Sequence, residues 1–308
     1  MRSMSSLKQN LSIFLYHDVN DDPSEFGAEF NLTVSNKLFQ KQVSWIMSKY
    51  SIISPLDLLE NRPLPPNPAL ITFDDGFAGA FENGIKYLDQ EGLPSLVFLN
   101  MGNILNNTPM ISSIAAYLEK NGEAHEELFQ SIGLQKPFHL NLTPAMLFKL
   151  EQSISDLNMD EILNYQGGMA TIEILMKWVN CKNVFFGNHL YEHWNSASLD
   201  SAEFKFQFEE NRRALSHFKN SIDFFSFPNG QPDLCFSNSH IEALHHFGCK
   251  KIFFSSGGTN PMDRAFILNR IDMTTYEHNT FKMFFRVAMT KVIYKLPRKA
   301  SIVVRRYL

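Results

Sequence analysis

The sequence predicts an α/β protein built on a mainly parallel sheet, either closed into a barrel or wound as an open sheet with helices on both faces. Two observations carry this. Seven short apolar, β-branched or aromatic runs recur along the chain, and segments of helical periodicity lie between most of them. The runs also close on polar residues, as strands do when their carboxyl ends form the working rim of a parallel fold.

The elements follow in order. "LSIFLYH" opens the series at Leu11 and is followed by a helical pattern over 36–50. "PALITFDD" comes next, then a helical pattern over 78–91. "PSLVFLNM" leads into a long interval, about 103–180, where the alternation stops. There "MISSIAAYLEKNG", "TPAMLFKLEQSISDL" and "MATIEILMKWV" read as helices, so an inserted helical subdomain or lid is expected. Alternation resumes with "NVFFGNH" and a helix over 199–218 that opens on the cap-like "SLDSAEF". "IDFFSFPNG", a helix over 237–247, "KKIFFSS" and "FILNRIDM" complete it. The expected organisation is a catalytic unit over 1–280 and a basic helix or tail over 281–308.

Composition narrows the class. An apolar fraction of 44% with 19% charged residues is that of a soluble globular chain. Cys181, Cys235 and Cys249 are too few and too scattered for a disulfide framework or a cysteine metal cluster, which favours a reducing compartment. No apolar stretch reaches the roughly 20 residues of a membrane span, and "MRSMSSLKQN" has no secretory apolar core, so a cytoplasmic location is expected. Charge is uneven: eight basic and no acidic residues from 281 to 308 set a +8 tail against a body of −12, for a net −4. Phe281, Phe285, Ala288 and Val292 recur at helical spacing there. Two readings stand: a helix docked on the body, or peripheral contact with an anionic membrane at its inner face. Nucleic acid is a poor partner for an acidic body with no recognised module.

The strand ends carry the chemistry. His17 closes the first run, Asp74 and Asp75 the second, His189 the fourth, and Pro228-Asn229-Gly230 the fifth. Two adjacent carboxylates repel, and burying either without a partner costs several kcal/mol. "GNHLYEHWN" supplies His189 and His193 four residues apart, close enough to share one ion. With one aspartate they would form a His2Asp set for a divalent ion such as zinc, with cobalt or nickel as alternatives. The other aspartate would then be free to take a proton from water that the ion acidifies. Each feature has a plainer rival: Asp-Asp-Gly and Pro-Asn-Gly are ordinary turns, and an isolated His pair is common on surfaces.

Together, "TFDDG" (72–76), "GNHLYEH" (187–193) and "FSFPNG" (225–230) resemble the first three motifs of the polysaccharide deacetylase family, the NodB-homology domains of carbohydrate esterase family four. The opening "FLYHDVND" is similar to a branch of that family acting on exported or surface glycans. The resemblance implies an irregular (β/α) barrel and metal-dependent removal of N- or O-acetyl groups from a sugar, as a glycan or lipid-linked saccharide precursor. Carried over residue by residue, it implies Asp74 as catalytic base, Asp75, His189 and His193 as metal ligands, and backbone around Asn229, between Pro228 and Gly230, at the oxyanion. His17 is the favoured general acid, with His278 in "TYEHN" as a remnant of the family's late histidine.

There are departures. The family's arginine four residues before the third motif's proline is Phe224 here, and Arg270 in "LNRID" is the candidate replacement. Asp272 or Asp223 would orient a histidine. Trp194 stands where a proline is usual; its ring either packs in the core, the favoured reading, or stacks on a sugar. Two rival functions remain: an amidase acting on a small non-sugar amide, and a glycan-binding protein without turnover.

Overall fold

The computed structural model describes residues 10–154, 157–261 and 265–293. The start of the chain and Lys295, Arg298, Lys299, Arg305 and Arg306 of the basic tail lie outside the described residues.

Six parallel strands stand side by side in chain order: β1 (Asn10–Tyr16), β2 (Pro68–Phe73), β3 (Ser95–Leu99), β4 (Val184–Asn188), β5 (Ser221–Ser226) and β6 (Lys251–Phe254). Every residue of β2, β3 and β4 is buried. Their unbroken apolar runs fit strands covered on both faces, where alternation has no purpose.

One short segment nearly closes the barrel. β7 (Ile267–Asn269) pairs with β6, and β8 (Ile271–Asp272) pairs with β1 at the opposite edge. Only Arg270 separates them. Its N–H donates to Phe254 O at 2.9 Å on the β6 side, and Met273 N–H donates to Leu15 O at 2.9 Å on the β1 side. Periodicity leaves barrel and open sheet open because "FILNRIDM" looks like one strand, whereas it serves two neighbours in succession; the irregular (β/α) barrel implied by the resemblance is the one found.

The outer helices form where the periodicity places them. Helix α1 (Asn36–Lys49) starts at Ser35, whose hydroxyl accepts from Leu38 N–H at 3.3 Å, and buries Phe39, Val43 and Ile46 at helical spacing. The pattern over 78–91 is helical from Ala80, but its first turns, Ala80–Ile85, are π-wound. Between β3 and β4 the described residues form helices joined by loops, including α2 (Ile111–Asn121) and the short helices Phe138–Asn141 and Met159–Gln166. Ile114, Leu118, Phe138 and Leu150 of this segment share one cluster with Leu190, Trp194, Phe204 and Phe225 of the barrel side. At roughly 1.5–3 kcal/mol for each large apolar side chain buried, that shared core fixes the segment to the barrel. Helix α3 (Ser201–Leu215) carries the expected capping box, Asp200 with Glu203, and buries Phe204 and Phe208.

Helix α4 (Thr280–Ile293) docks differently from the expected stripe. Met283 is fully buried, while Phe281 and Phe284 face out at 74% and 65% exposure. Arg286 Nε donates to Asp272 O at 3.2 Å, which ties the helix to the barrel rim. Among the described residues no helix is long and apolar enough to cross a membrane.

Candidate metal centre

β2 ends at Phe73 and delivers Asp74 and Asp75 to the rim, both nearly inaccessible. The turn then forces left-handed backbone, with φ 71° at Asp75 and 94° at Gly76. The φ of 94° would strain any side chain at Gly76, and a Cβ there would also crowd Leu99 Cδ2 at 2.8 Å. The turn sends the two carboxylates to different partners.

Asp74 is held by Arg270. Nη1 donates to Oδ1 at 2.7 Å and Nη2 to Oδ2 at 2.6 Å, a bidentate pair with the arginine completely buried. Ser226 completes the arrangement: its Oγ accepts from Arg270 Nη2 at 2.7 Å and donates to Asp74 Oδ2 at 3.3 Å. The Phe98 ring lies under the guanidinium, with Cζ 5.4 Å from its centroid. Burial pushes the Asp74 carboxyl up, but Arg270 and then His189 outweigh it, and the group lies below its ordinary range. Asp74 is therefore ionised at neutral pH. Arg270 reaches Asp74 from the link between β7 and β8, whereas Phe224 is a fully buried apolar residue of β5.

Asp75 faces the histidines. Its Oδ1 lies 3.3 Å from His189 Nε2 and 3.1 Å from His193 Nε2, yet this buried oxygen makes no hydrogen bond among the described residues. Burial raises the Asp75 carboxyl, and the field of His193 with the contacts to both imidazoles pulls it well below the usual range. For His189, burial opposes the charge while Asp74 and Asp75 favour it, and the net direction is upward.

This donor set fits a divalent ion. Three candidate ligand atoms lie within 4.8 Å of one another. Atoms sharing a tetrahedral ion at about 2.0–2.1 Å sit roughly 3.3 Å apart, which is the spacing found from Asp75 Oδ1 to each histidine. His189 Nδ1 lies 2.8 Å from the Ser226 carbonyl; a carbonyl only accepts, so the proton sits on Nδ1 and Nε2 keeps its lone pair for a metal. The loop bearing both histidines is not helical. Leu190 and His193 take φ of 60° and 61°, and for non-glycine residues such strain is usual where surroundings impose it.

Those surroundings are three buried asparagines that the sequence reading missed. Asn100 donates to the carbonyls of His189 and Leu190, the latter at 3.1 Å. Asn188 Oδ1 accepts from Leu190 N–H at 3.0 Å and from Asn211 Nδ2 at 2.8 Å. Asn100 and Asn188 stand at the polar ends of "LVFLN" and "VFFGN", a signal available beforehand.

Above the carboxylates and histidines lies a cavity of about 260 Å³. His17, half-buried, lines it together with Asp74, Asp75, Asn229, Gly230 and Arg270. Asn229 and Gly230 are left-handed at φ 60° and 58°, and Asn229 Nδ2 is buried without a partner among the described residues.

Four expectations need correction. Trp194 is 4% exposed within the core, donates from Nε1 to Glu192 Oε2 at 3.2 Å and does not line the cavity, so it cannot stack on a sugar there. Pro228 is buried behind the turn and is likewise absent from the cavity wall. His278 is exposed, away from the cavity, with its carbonyl accepting from Lys41 Nζ at 2.8 Å. Asp223 is exposed and pairs with Arg212 at 3.1 Å. Asp272 does line the cavity, where Oδ1 accepts from Ser255 Oγ at 2.7 Å.

No protein-family model and no curated protein matches the sequence. Solved structures do match. The Streptococcus pyogenes deacetylase PplD, in complex with acetate, is 15% identical, with 86% of this chain and 92% of that chain covered at a TM-score of 0.57. IcaB from Ammonifex degensii is 17% identical, covering 91% and 98% at 0.58. A de-N-acetylase from Aggregatibacter actinomycetemcomitans is 15% identical, covering 91% and 100% at 0.59. The chain has the polysaccharide deacetylase fold.

Proposed function

We propose that the protein is a metal-dependent hydrolase that removes an acetyl group from a saccharide, with zinc as the first candidate ion and cobalt or nickel as alternatives. One observation carries the reading: Asp75, His189 and His193 converge on a point beside a second carboxylate, Asp74, that is held separately by Arg270. The likeness to solved deacetylases supports the substrate class.

In this proposal Asp75, His189 and His193 hold the ion. The bound ion would act as a Lewis acid, lowering the pKa of a water from 15.7 toward roughly 7 and polarising the acyl oxygen. Asp74 is the base. Oδ1 carries only the Arg270 bond, which leaves it a lone pair for the proton of the attacking water. A carboxylate held this low is a weak base, and the ion would supply the acidity that lets Asp74 take the proton. Arg270 and Ser226 are positioning residues that fix the carboxylate plane. The backbone at Asn229 contributes to the oxyanion, and His17 protonates the departing nitrogen from the cavity wall. The substrate is proposed to be a glycan or lipid-linked saccharide precursor.

The test is acetate release from a panel of acetylated sugars and simple amides, for wild type and Asp74→Asn. Release from sugars, reduced by at least about 10²-fold in the variant, is expected. Release from simple amides alone would give the amidase reading. Sugar binding without turnover by metal-loaded protein would give the binding-protein reading.

A further inference from the structure

The cavity has a wall that the barrel strands do not supply. Phe26, Phe30 and Leu32 come from the segment between β1 and α1, and Ser112, His139 and Leu140 from the helical segment between β3 and β4. The two segments are clamped together. Ser24 Oγ donates to Gln166 O at 2.7 Å, and Tyr165 OH to Glu29 Oε2 at 3.0 Å. Lys120 Nζ pairs with Glu25 and, at 3.3 Å, with Glu29. The Phe26 ring meets Tyr165 edge-on at 5.7 Å, and Phe30 meets His139 edge-on at 6.2 Å. Phe30 and His139 thus join the two segments at the cavity itself, as a roof beside the metal centre.

Size sets what fits beneath it. Small-molecule pockets run from roughly 300 to 1,000 Å³, and this cavity is about 260 Å³. The cavity opens to solvent, so it holds one sugar unit with its acyl group, and any further unit must pass the wall to which Phe30, 40% exposed, contributes. An enzyme acting within a polymer must let the chain enter and leave on both sides of the reacting unit, which calls for an open groove.

We infer that the roof restricts the site to an acylated sugar unit at the end of a chain or joined to a single small group, with Phe30 and His139 as the residues that exclude internal units. The inference rests on the deacetylase reading above. The acetyl carbonyl carbon gains the water oxygen and its bond to the sugar nitrogen breaks. Acetate leaves, and the nitrogen takes a proton. The geometry decides only which unit of a chain reaches that point.

The experiment uses metal-loaded full-length protein and N-acetylglucosamine oligomers of one to six units. It measures acetate release and locates the new amine by fragment mass spectrometry. One terminal acetate per chain, at a rate independent of length, is expected. Phe30→Ala removes a ring that is 40% exposed, and the terminal-to-internal ratio should fall roughly tenfold or more. Lys120→Ala, which loosens the clamp from the outside, should shift it the same way with metal content unchanged. Amines at internal units made by wild-type protein would overturn the inference and leave the deacetylase reading standing. No release from any length, the monomer included, by protein carrying its metal would overturn both.

Discussion

Replacing Arg270 with methionine tests the pairing on which the site depends. Arg270 is fully buried and gives Asp74 two short hydrogen bonds, so the variant leaves a buried carboxylate with one hydrogen bond, from Ser226, and His189 Nε2 at 3.7 Å. Removing one partner of a buried pair costs about 3–5 kcal/mol, a large part of the 5–15 kcal/mol typical of a domain. The pH dependence should also change sign. In wild type the Asp74 carboxyl is depressed, so its contribution to stability is present above the unfolded value and lost as pH falls through the folded one. In the variant, the largest opposing influence on burial is gone and only weaker ones such as His189 remain, so the carboxyl rises and stability is lost as pH rises through its new value. The assay is urea unfolding from pH 4 to 7 for wild type, Arg270→Met, Asp74→Asn and the double variant. The double variant should recover most of the loss seen in Arg270→Met at pH 7. A single variant as stable as wild type at pH 7, or a double variant no better than the single, would refute the reasoning.

Other outcomes follow from the same geometry. Trp194→Ala should cost about 3–5 kcal/mol by emptying a packed core site, whereas Trp194→Phe should leave the sugar KM unchanged because the ring does not face the cavity; unfolding curves and kinetics check both. Asp18, buried with Thr33 Oγ1 at 3.3 Å from its Oδ2, is pushed up to about 6, chiefly by burial. Its contribution is fully present below the unfolded carboxylate value and is lost as pH rises through 6. Asp18→Asn should therefore gain on wild type by about 3 kcal/mol between pH 4 and 7, read from paired melts, and parallel curves would contradict this.

Much of this arrangement was legible in the residues. The Asp-Asp-Gly strand end and the histidine pair announced themselves because their chemistry is local: adjacent like charges need separate partners, and the turn after Asp75 supplies them. Arg270 was only a candidate, since its value depends on a segment that switches partners between β6 and β1, and sequence periodicity cannot show such a switch. Trp194 was open to two readings, packing and sugar stacking, because position beside a ligand says nothing about which way a side chain turns; His193 directs its imidazole to Asp75 while the indole enters the core. The segment over about 103–180 was legible as a helical subdomain or lid, but not the partner it closes against. Helical periodicity marked the segment, but its meeting with residues 24–30 is made by single contacts far apart in sequence, such as Ser24 with Gln166.

The central claim is that Asp75, His189 and His193 hold one divalent ion. Protein purified without chelator should carry close to one metal ion per chain by elemental analysis, and His189→Ala should carry almost none while keeping its fold by circular dichroism. Wild-type protein that arrives without metal and takes up no zinc, cobalt or nickel would contradict the account.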